Sequence, residues 1–223
     1  MAGLTLARRC QYAVDRALVG RRWRLALEKQ FDPLTAELVM SRIWRDYLVR
    51  LATLPSGGHG LSPVPRWTLL SIAVYRALVV RGMPPELART VTRNLAWDGY
   101  RVMGMLAWGL AWRPGRSRLA RTRAAMDWFR RLFFTSPEFG WRELAPQAGR
   151  AGFDCVRCPI AQRYAVEGMS DVAVHSICSL ERRLSASWGI RLVRTQTLAD
   201  GGTHCDFRWH APEARTERAR PPA

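Results

Sequence analysis

The sequence predicts an α+β protein, with a helical N-terminal block packed against a small antiparallel sheet in the C-terminal third. Two observations predict this class. Apolar residues recur at helical spacing through the first 134 residues. After residue 150 the pattern changes to alternation rich in β-branched residues, as in half-buried strands. With 223 residues to bury a core, we expect a helical region over 1–134, an α+β region over 135–211 that forms one compact unit with it, and a disordered tail over 212–223.

Two helical patterns open the chain. The first is expected to leave Asp15 outside its buried face, which is formed by Ala7, Cys10, Val14, Ala17 and Leu18. The second begins at Asp32-Pro33, because aspartate caps a helix and proline suits its first turn. Its buried side is marked by Met40, Trp44, Tyr47, Leu48 and Leu51.

Residues 55–66 are rich in glycine and proline and predict a loop. "WTLLSIAVYRALVV" (67–80) is apolar nearly all round, which predicts a central buried helix. Pro84-Pro85-Glu86 starts another helix. "VMGMLAWGLAW" (102–112) predicts a buried helix, because 11 residues are too few to cross a membrane. A further helix is expected from about Ser117 to Phe134.

The C-terminal third predicts three strands, near 153–157, 189–196 and 203–210, with helices over 159–166 and 171–184. Residues 199–202 form a turn that makes a hairpin of the last two strands. Alternate residues of a strand point to opposite faces. One face of the last strand therefore carries Thr203, Cys205, Phe207 and Trp209, and the other carries His204, Asp206, Arg208 and His210.

The net charge of +17 is unevenly placed: residues 1–150 hold 25 basic and 10 acidic residues, a balance of +15, and residues 151–223 hold 10 and 8, a balance of +2. An arginine-rich stretch over 113–131 is interpreted as a solvated helix face, although it also suits phosphates or an anionic membrane surface. Without a nucleic-acid motif, a nucleic-acid partner is not favoured. With no signal-peptide core and no transmembrane segment, we expect a cytoplasmic protein.

Four of the five cysteines fall in the last third of the chain, at positions 155, 158, 178 and 205. Cys155 and Cys158 form a C-x-x-C pair at a strand-to-helix junction, where the helix N-terminus and Arg157 favour a thiolate, as in a redox pair. A tetrahedral zinc site is a second interpretation. Its candidate ligands are Cys158, Cys178, Cys205 and His175.

Several motifs here resemble the L-2-amino-thiazoline-4-carboxylic acid hydrolase family. They are Arg157-Cys158-Pro159, Gly168, Cys178 followed by Glu181 and, above all, "RTQTLADGGTHCDFRW" (194–209). The likeness covers about residues 150–210, and "SIAVYRALVVRGMPPELA" (71–88) is similar to the helical half of the family. Two residues depart from the family's pattern: the family usually has a non-cysteine residue at the position of Cys155, and aspartate is expected at the position of Glu181.

The resemblance implies a hydrolase of non-peptide C–N bonds that opens a cyclic isothiourea to an N-carbamoyl amino acid and needs no cofactor. The catalytic residues it implies are Cys158, Cys178, Cys205 and Asp206, and the chemistry of their side chains adds His204 and Glu181 as catalytic candidates. A thiolate, from Cys158 or Cys205, would attack the ring carbon, a carboxylate would hold the amidinium, and His204 or His175 would move protons. Candidates for substrate binding are Arg194, Arg208 and Thr197, and the resemblance also implies that Thr197 and Gly201 shape the hairpin.

A non-enzymatic protein is the alternative hypothesis. In it, the cysteines form a structural zinc knot and the arginine-rich helices contact an anionic partner. Under this hypothesis zinc is the only cofactor, and the partner is an anionic surface in place of a small-molecule substrate. The sequence leaves the oligomeric state open.

Overall fold

The structure is a computed structural model, and it describes residues 5–54, 63–135, 137–145 and 147–211. The predicted tail (212–223) and most of the predicted loop (55–62) lie outside the described residues. The predicted α+β class is confirmed. The α-helices are α1 (Leu6–Leu27), α2 (Pro33–Thr53), α3 (Val64–Val80), α4 (Pro85–Leu110), α5 (Arg118–Phe133), α6 (Pro159–Val166), α7 (Ser170–Val172) and α8 (Leu180–Ser187).

Helices α2 and α3 form much as their sequences predict. The Asp32 side chain caps the start of α2, because its Oδ1 accepts hydrogen bonds from the Leu34 and Thr35 amides at 3.1 and 3.0 Å. The predicted buried face of α2 is confirmed except at Leu48, which is half-buried. Helix α3 begins at Val64, three residues before the predicted start, and is buried around most of its circumference.

The buried face of α1 was predicted wrongly. Val14 is 52 % and Leu18 61 % exposed, whereas Asp15 is 1 % exposed. The reason is a polar network that the apolar period does not reveal. The Asp15 carboxylate accepts hydrogen bonds from Tyr47 Oη at 2.5 Å, Arg66 Nε at 3.2 Å and Trp67 Nε1 at 3.4 Å. Asp15 thus joins α1 to α2 and α3.

Helix α4 also differs from expectation, because residues 102–110 continue it and form no separate buried helix. The outer side of this stretch is exposed at Val102, Met105, Leu106 and Leu110. Its inner side packs on α5 and α8. At Gly104 a Cβ atom would lie 2.3 Å from a Leu184 methyl group, so glycine permits the close approach of α8.

Four antiparallel strands form one sheet in the order β1-β2-β4-β3: β1 (Gly140–Glu143), β2 (Arg150–Arg157), β3 (Arg191–Val193) and β4 (Cys205–His210). Strand β1 was not predicted. The predicted pairing of the last two strands is confirmed, with Leu192 opposite Trp209. Phe153, Phe207 and Trp209 face the helices and pack in the same core as Phe129 of α5.

The segment predicted as one helix over 171–184 is interrupted. It consists of α7, a π-helix (Ala173–Ile177), a two-residue break and α8. The Cys178 amide closes the π-turn by bonding to the Ala173 carbonyl at 2.8 Å. Such π-turns are rare and frequently occur at functional sites. Cys178 therefore lies at a break between helices.

Several arginines of the stretch over 113–131 make contacts within the protein. Arg116 and Arg118 donate to the carbonyls of Ala111 and Gly189. Arg121 donates to the Trp108 carbonyl and stacks over its ring at 4.0 Å, and Arg130 pairs with Glu143. These contacts leave fewer free guanidinium groups than a solvated face would carry. Within the described residues, no helix is both long and apolar enough to cross a membrane.

The network around Asp15 generates a stability prediction. Asp15→Ala leaves the Tyr47 hydroxyl, on a residue that is 0 % exposed, and Arg66 without their partner. Breaking such a buried charged network typically lowers the free energy of unfolding by about 3–5 kcal/mol. Urea unfolding should show a loss of this size. The matched control is Asp98→Ala, because Asp98 makes only a half-exposed ion pair with Arg22 at 3.5 Å; its loss should be about 1 kcal/mol or less. Equal losses in the two variants would contradict the role of Asp15.

Candidate functional site

Three cysteines meet where β2, β4 and α6 come together. Cys155 and Cys205 are directly opposite each other on β2 and β4, on the face of the sheet that is turned toward the helices. The Cys155 thiol donates to the Arg157 carbonyl at 3.2 Å and is hydrogen-bonded to the Cys158 thiol. Cys158 precedes the first residue of α6. The cross-strand pair and the helix start therefore place Cys155, Cys158 and Cys205 in one cluster.

Arg194 links this cluster to the break before α8. Its guanidinium lies 5.3 Å from the centre of the Phe207 ring, on the same face of β4 as Cys205. Arg194 Nη2 donates to the Cys178 carbonyl at 2.5 Å, and Nη1 lies 3.6 Å from Glu181 Oε2. Glu181 follows Cys178 by three residues, so the two share one side of the helical segment. Arg194 thus brings Cys178 and Glu181 to the other thiols.

The Arg194–Glu181 ion pair is buried, and two of its polar atoms make no hydrogen bond. The Arg194 side chain is 5 % and the Glu181 side chain 18 % exposed. Arg194 Nε and Glu181 Oε2 are buried and have no hydrogen-bond partner among the described residues. Buried polar atoms are normally paired, since an unpaired one costs about 1–3 kcal/mol. A free donor on a cation beside a free acceptor on an anion is an arrangement suited to a polar ligand.

The thiols of Cys158, Cys178 and Cys205 are protonated at neutral pH. The hydrogen bond with Cys155 and burial raise the pKa of Cys158, and the Ile160 and Ala161 amides at the start of α6 only partly oppose this rise. Burial and the charge of Glu181 raise the pKa of Cys178. Burial raises the pKa of Cys205 to about 11. Cys205 also accepts a backbone hydrogen bond, from the Leu198 amide at 3.2 Å, which favours its thiolate.

The low-pKa redox pair suggested by the C-x-x-C spacing does not form. The pKa of Cys158 is raised, and the Arg157 side chain is turned away from the thiols, toward the carbonyls of Pro137 and Glu138. The thiolate therefore lacks the cation that the sequence had suggested for it.

Ionisation of the Arg194–Glu181 pair is set by burial and mutual attraction. Burial raises the pKa of Glu181, and the attraction of Arg194 limits this rise. Burial acts to lower the pKa of Arg194, but Glu181 and the thiols outweigh burial and raise it. Arg194 is therefore a permanent cation, and Glu181 is a carboxylate of increased basicity.

Tyr100 of α4 borders the site and was not identified from the sequence. Burial raises its pKa well above the usual value, with smaller effects from Glu181, Arg194, Cys178 and Cys158. Its phenol is therefore neutral and near these four side chains. An aromatic residue on the buried side of a helix looks like ordinary core, so no feature of the sequence could have distinguished it.

Asp206, His204 and Arg208 occupy the other side of the sheet. Both Asp206 oxygens accept hydrogen bonds from the segment after β3: the Thr195 amide at 2.9 and 3.1 Å and the Gln196 amide at 2.8 Å. Burial acts to raise the pKa of Asp206, but these hydrogen bonds outweigh burial and lower it. Asp206 therefore holds in place the segment that begins with Arg194, and its carboxylate does not reach the thiols.

A second buried carboxylate, Asp154, organises this outer face. It is 2 % exposed and accepts from Arg142 at 2.6 Å and Arg208 at 2.7 Å, with His204 Nε2 at 3.8 Å. Burial acts to raise the pKa of Asp154, but the two arginines outweigh it and lower the pKa. Arg208 and His204 are thus directed to Asp154 and lie apart from the cysteine cluster.

The remaining candidates have local contacts. Thr197 Oγ1 accepts from the Asp200 amide at 3.1 Å and starts a short 3₁₀-helix (Leu198–Asp200). Gly201 ends it with φ of +80°, where glycine is favoured. These two residues therefore shape the connection between β3 and β4. His175 is exposed, and its Nδ1 lies 2.8 Å from the Asp171 carbonyl oxygen.

The zinc hypothesis finds no support in this geometry. Among the residues that the structure describes, no group of three or more histidine, cysteine, aspartate or glutamate side chains is arranged to hold a metal ion. Tetrahedral zinc needs three or four such ligands within about 2.3 Å of the ion.

The raised thiol pKa values predict the order of alkylation by iodoacetamide. Cys10 is exposed on α1 and should react first at pH 7.5. Cys158, Cys178 and Cys205 should resist, because they are protonated and at least partly buried. For Cys205 the rate should rise about tenfold per pH unit up to its pKa of about 11, since only the thiolate reacts. Peptide mass spectrometry after timed quenching gives the rates. Labelling of Cys158 or Cys205 ahead of Cys10 at pH 7.5 is the result that contradicts this description.

Comparison with known proteins identifies the family of the chain. No curated protein and no solved structure matches the chain significantly. The family described as L-2-amino-thiazoline-4-carboxylic acid hydrolase matches residues 68–209, a span that begins in α3 and ends in β4. The match includes Tyr100, the cysteine cluster, Glu181 and Arg194, and it covers more than half of the chain. The chain therefore belongs to the L-2-amino-thiazoline-4-carboxylic acid hydrolase family.

Proposed function

We propose that this protein is a thiol-dependent hydrolase that opens a cyclic amidine of the 2-amino-thiazoline-4-carboxylate type to an N-carbamoyl amino acid. The observation that carries the proposal is the meeting of the Cys158, Cys178 and Cys205 thiols with a buried ion pair whose two members each keep an atom without a hydrogen bond. Membership of the family supports the hydrolase class. The roles of the individual residues follow from their contacts.

Arg194 and Glu181 suit the two charged ends of such a substrate. A guanidinium binds a carboxylate through parallel N–H···O bonds, and a carboxylate binds an amidinium in the same way. Arg194 Nε, which makes no hydrogen bond, is a donor for the substrate carboxylate, and Glu181 Oε2, which also makes none, is an acceptor for an amidinium N–H. Because both charges are mostly buried, these bonds form where water competes little.

Cys205 is the nucleophile in this proposal. Burial raises its pKa to about 11. The Leu198 amide, 3.2 Å from its sulfur, and the nearby Arg194 both favour the thiolate. Cys178 contributes its carbonyl oxygen to hold Arg194, and Cys158 completes the wall of thiols beside Cys205.

The reaction conserves all atoms without redox chemistry. The Cys205 proton passes to the ring nitrogen, which gives a thiolate beside an amidinium stabilised by Glu181. The thiolate sulfur bonds to ring carbon 2, the ring C–S bond breaks, and the freed sulfur takes a proton from the amidinium. Water, deprotonated by Glu181, then adds to the same carbon and expels Cys205, which recovers its proton from Glu181. One water is consumed: its oxygen becomes the urea carbonyl, and its hydrogens end on the freed sulfur and the former ring nitrogen.

Asp206 acts as a positioning residue. It binds the amides of Thr195 and Gln196, which directly follow Arg194, so it fixes the chain from which the guanidinium extends. His204 and His175 take no part, because one lies on the outer face of the sheet and the other is exposed. Glu181 replaces them as the group that moves protons.

The proposal predicts distinct effects of single substitutions on opening of L-2-amino-thiazoline-4-carboxylate, followed by formation of the urea-type product. Cys205→Ser should lower kcat by roughly a thousandfold or more, because a hydroxyl does not ionise in this site. Glu181→Gln should lower kcat by about 10²–10⁴-fold, the usual contribution of a general acid–base group. Cys10→Ser, on the exposed side of α1, is the matched control and should leave kcat unchanged.

Thermal melts of the same variants separate catalysis from folding. Melting temperatures within a few degrees of the parent protein, together with lost turnover, support the assigned roles. Full activity of Cys205→Ser alongside inactive Cys178→Ser or Cys158→Ser would show that the nucleophile is another thiol. A parent protein that does not open the thiazoline contradicts the proposed substrate type.

A further inference from the structure

A pocket of about 660 Å³ is lined by three arginines and lies at the C-terminal end of α8, whereas Glu181 lies at the start of that helix. Arg116, Arg118 and Arg121 line the pocket from the connection between α4 and α5 and from the first turn of α5. Residues 186–189 line it from the end of α8. None of the residues assigned to the candidate site lines this pocket, so it is a separate feature of the molecule.

The segments that form the pocket contain no acidic residue. The sequence has no aspartate or glutamate between residues 99 and 126 or between residues 182 and 199. Asp127, the next acidic residue along α5, is paired with Arg130 at 2.8 Å. The positive charges of Arg116, Arg118 and Arg121 therefore face one another without a carboxylate from either segment.

The three guanidinium groups are held in place by backbone carbonyls. Arg116 and Arg121 each donate at 2.9 Å to a carbonyl at the end of α4, and Arg118 donates at 3.2 Å to the Gly189 carbonyl, just beyond α8. The C-terminal end of a helix carries only about half a negative charge. Two helix ends therefore offset about one of the three positive charges. About two positive charges remain, on groups that have five N–H donors each.

The aromatic wall of the pocket adds to this excess of donors. Trp188 is 3 % exposed, and its Nε1 is buried without a hydrogen-bond partner among the described residues. The Trp188 ring stacks on Trp108 with 5.1 Å between ring centroids, and the guanidinium of Arg121 lies 4.0 Å from the centre of the Trp108 ring. A Cβ atom at Gly189 would lie 2.5 Å from Arg118 Nη1, so glycine permits the close approach of this arginine. The pocket thus has positioned donors and lacks negative charge.

We infer that this pocket binds the phosphate group of a small soluble ligand, a phosphate monoester, through Arg116, Arg118 and Arg121. Guanidinium groups bind phosphate through paired, charge-assisted hydrogen bonds. A phosphate dianion matches the two positive charges that the helix ends leave uncompensated. The volume of the pocket lies within the range of about 300–1,000 Å³ that is typical of small-molecule sites. The inference is independent of the proposed hydrolase activity, because the two sites share no residue.

Isothermal titration calorimetry of the full chain with inorganic phosphate and with glycerol 3-phosphate tests this inference. The titrations are made at pH 8 with the ionic strength held constant by sodium chloride, and saturable binding of one ligand per chain is expected. Arg118→Gln should weaken binding by about tenfold or more, the usual effect of losing a hydrogen bond to a charged group. Ala186→Glu places a carboxylate in the pocket and should abolish binding. Both side chains are exposed, so both variants should fold, which thermal melts check.

The matched control is Arg113→Gln. It removes the same charge from the same connection, but Arg113 is exposed and does not line the pocket, so affinity should stay within about twofold of the parent protein. No saturable binding of either phosphate compound, an equal loss in Arg113→Gln, or full binding by Ala186→Glu overturns the inference. Vesicles that contain phosphatidic acid carry the same phosphate monoester on a lipid. Binding to these vesicles without binding of glycerol 3-phosphate would assign the charge to a lipid surface and contradict a soluble ligand.

Discussion

The buried Arg194 guanidinium is the contact on which the candidate site depends. It bonds to the carbonyl of Cys178, faces the carboxylate of Glu181 and lies over the Phe207 ring of β4. A charge that is 5 % exposed is tolerated in a protein only when opposite charge and hydrogen bonds compensate for the loss of water. This requirement holds the break before α8 against the inner face of the sheet, and so it brings Cys178 and Glu181 to Cys158 and Cys205.

The two faces of β4 have different roles: the inner face carries the proposed nucleophile, and the outer face carries residues that hold neighbouring segments in place. Because neighbouring residues of a strand point to opposite faces, Cys205 enters the site while Asp206 and His204 cannot. The outer face is still important for the site: Asp206 fixes the two amides that follow Arg194, and Asp154 gathers Arg208 and His204 around a buried carboxylate. Substitutions on the outer face should therefore alter the position of Arg194, whereas those on the inner face alter reactivity directly.

Prediction from the sequence succeeds where the pattern of neighbouring residues determines the structure. It fails where contacts between residues distant in sequence determine it. The Asp32 cap and the pairing of the last two strands follow from local patterns, whereas the interruption of the segment predicted as one helix over 171–184 left no signal in the sequence. The buried face of α1 was misjudged because Asp15 is satisfied by Tyr47, Arg66 and Trp67, all distant in sequence. The family resemblance identified Cys158, Cys178, Cys205 and Glu181 as candidates, but only the fold shows that Arg194, rather than Arg208, lies among them. Tyr100 contributes from the helical block and could be found only in three dimensions.

The central claim is that Cys205 becomes covalently bonded to the substrate carbon. Its most direct test is acid quenching of the Glu181→Gln variant during incubation with L-2-amino-thiazoline-4-carboxylate, followed by peptide mass spectrometry. Ring opening by the thiolate retains every substrate atom, so the peptide that contains Cys205 should gain the mass of one whole substrate molecule. Release of this adduct is slow in the variant, because the group that deprotonates water is missing. Turnover by the parent protein without any adduct on Cys205 in the variant, or with the adduct on another cysteine, contradicts the account.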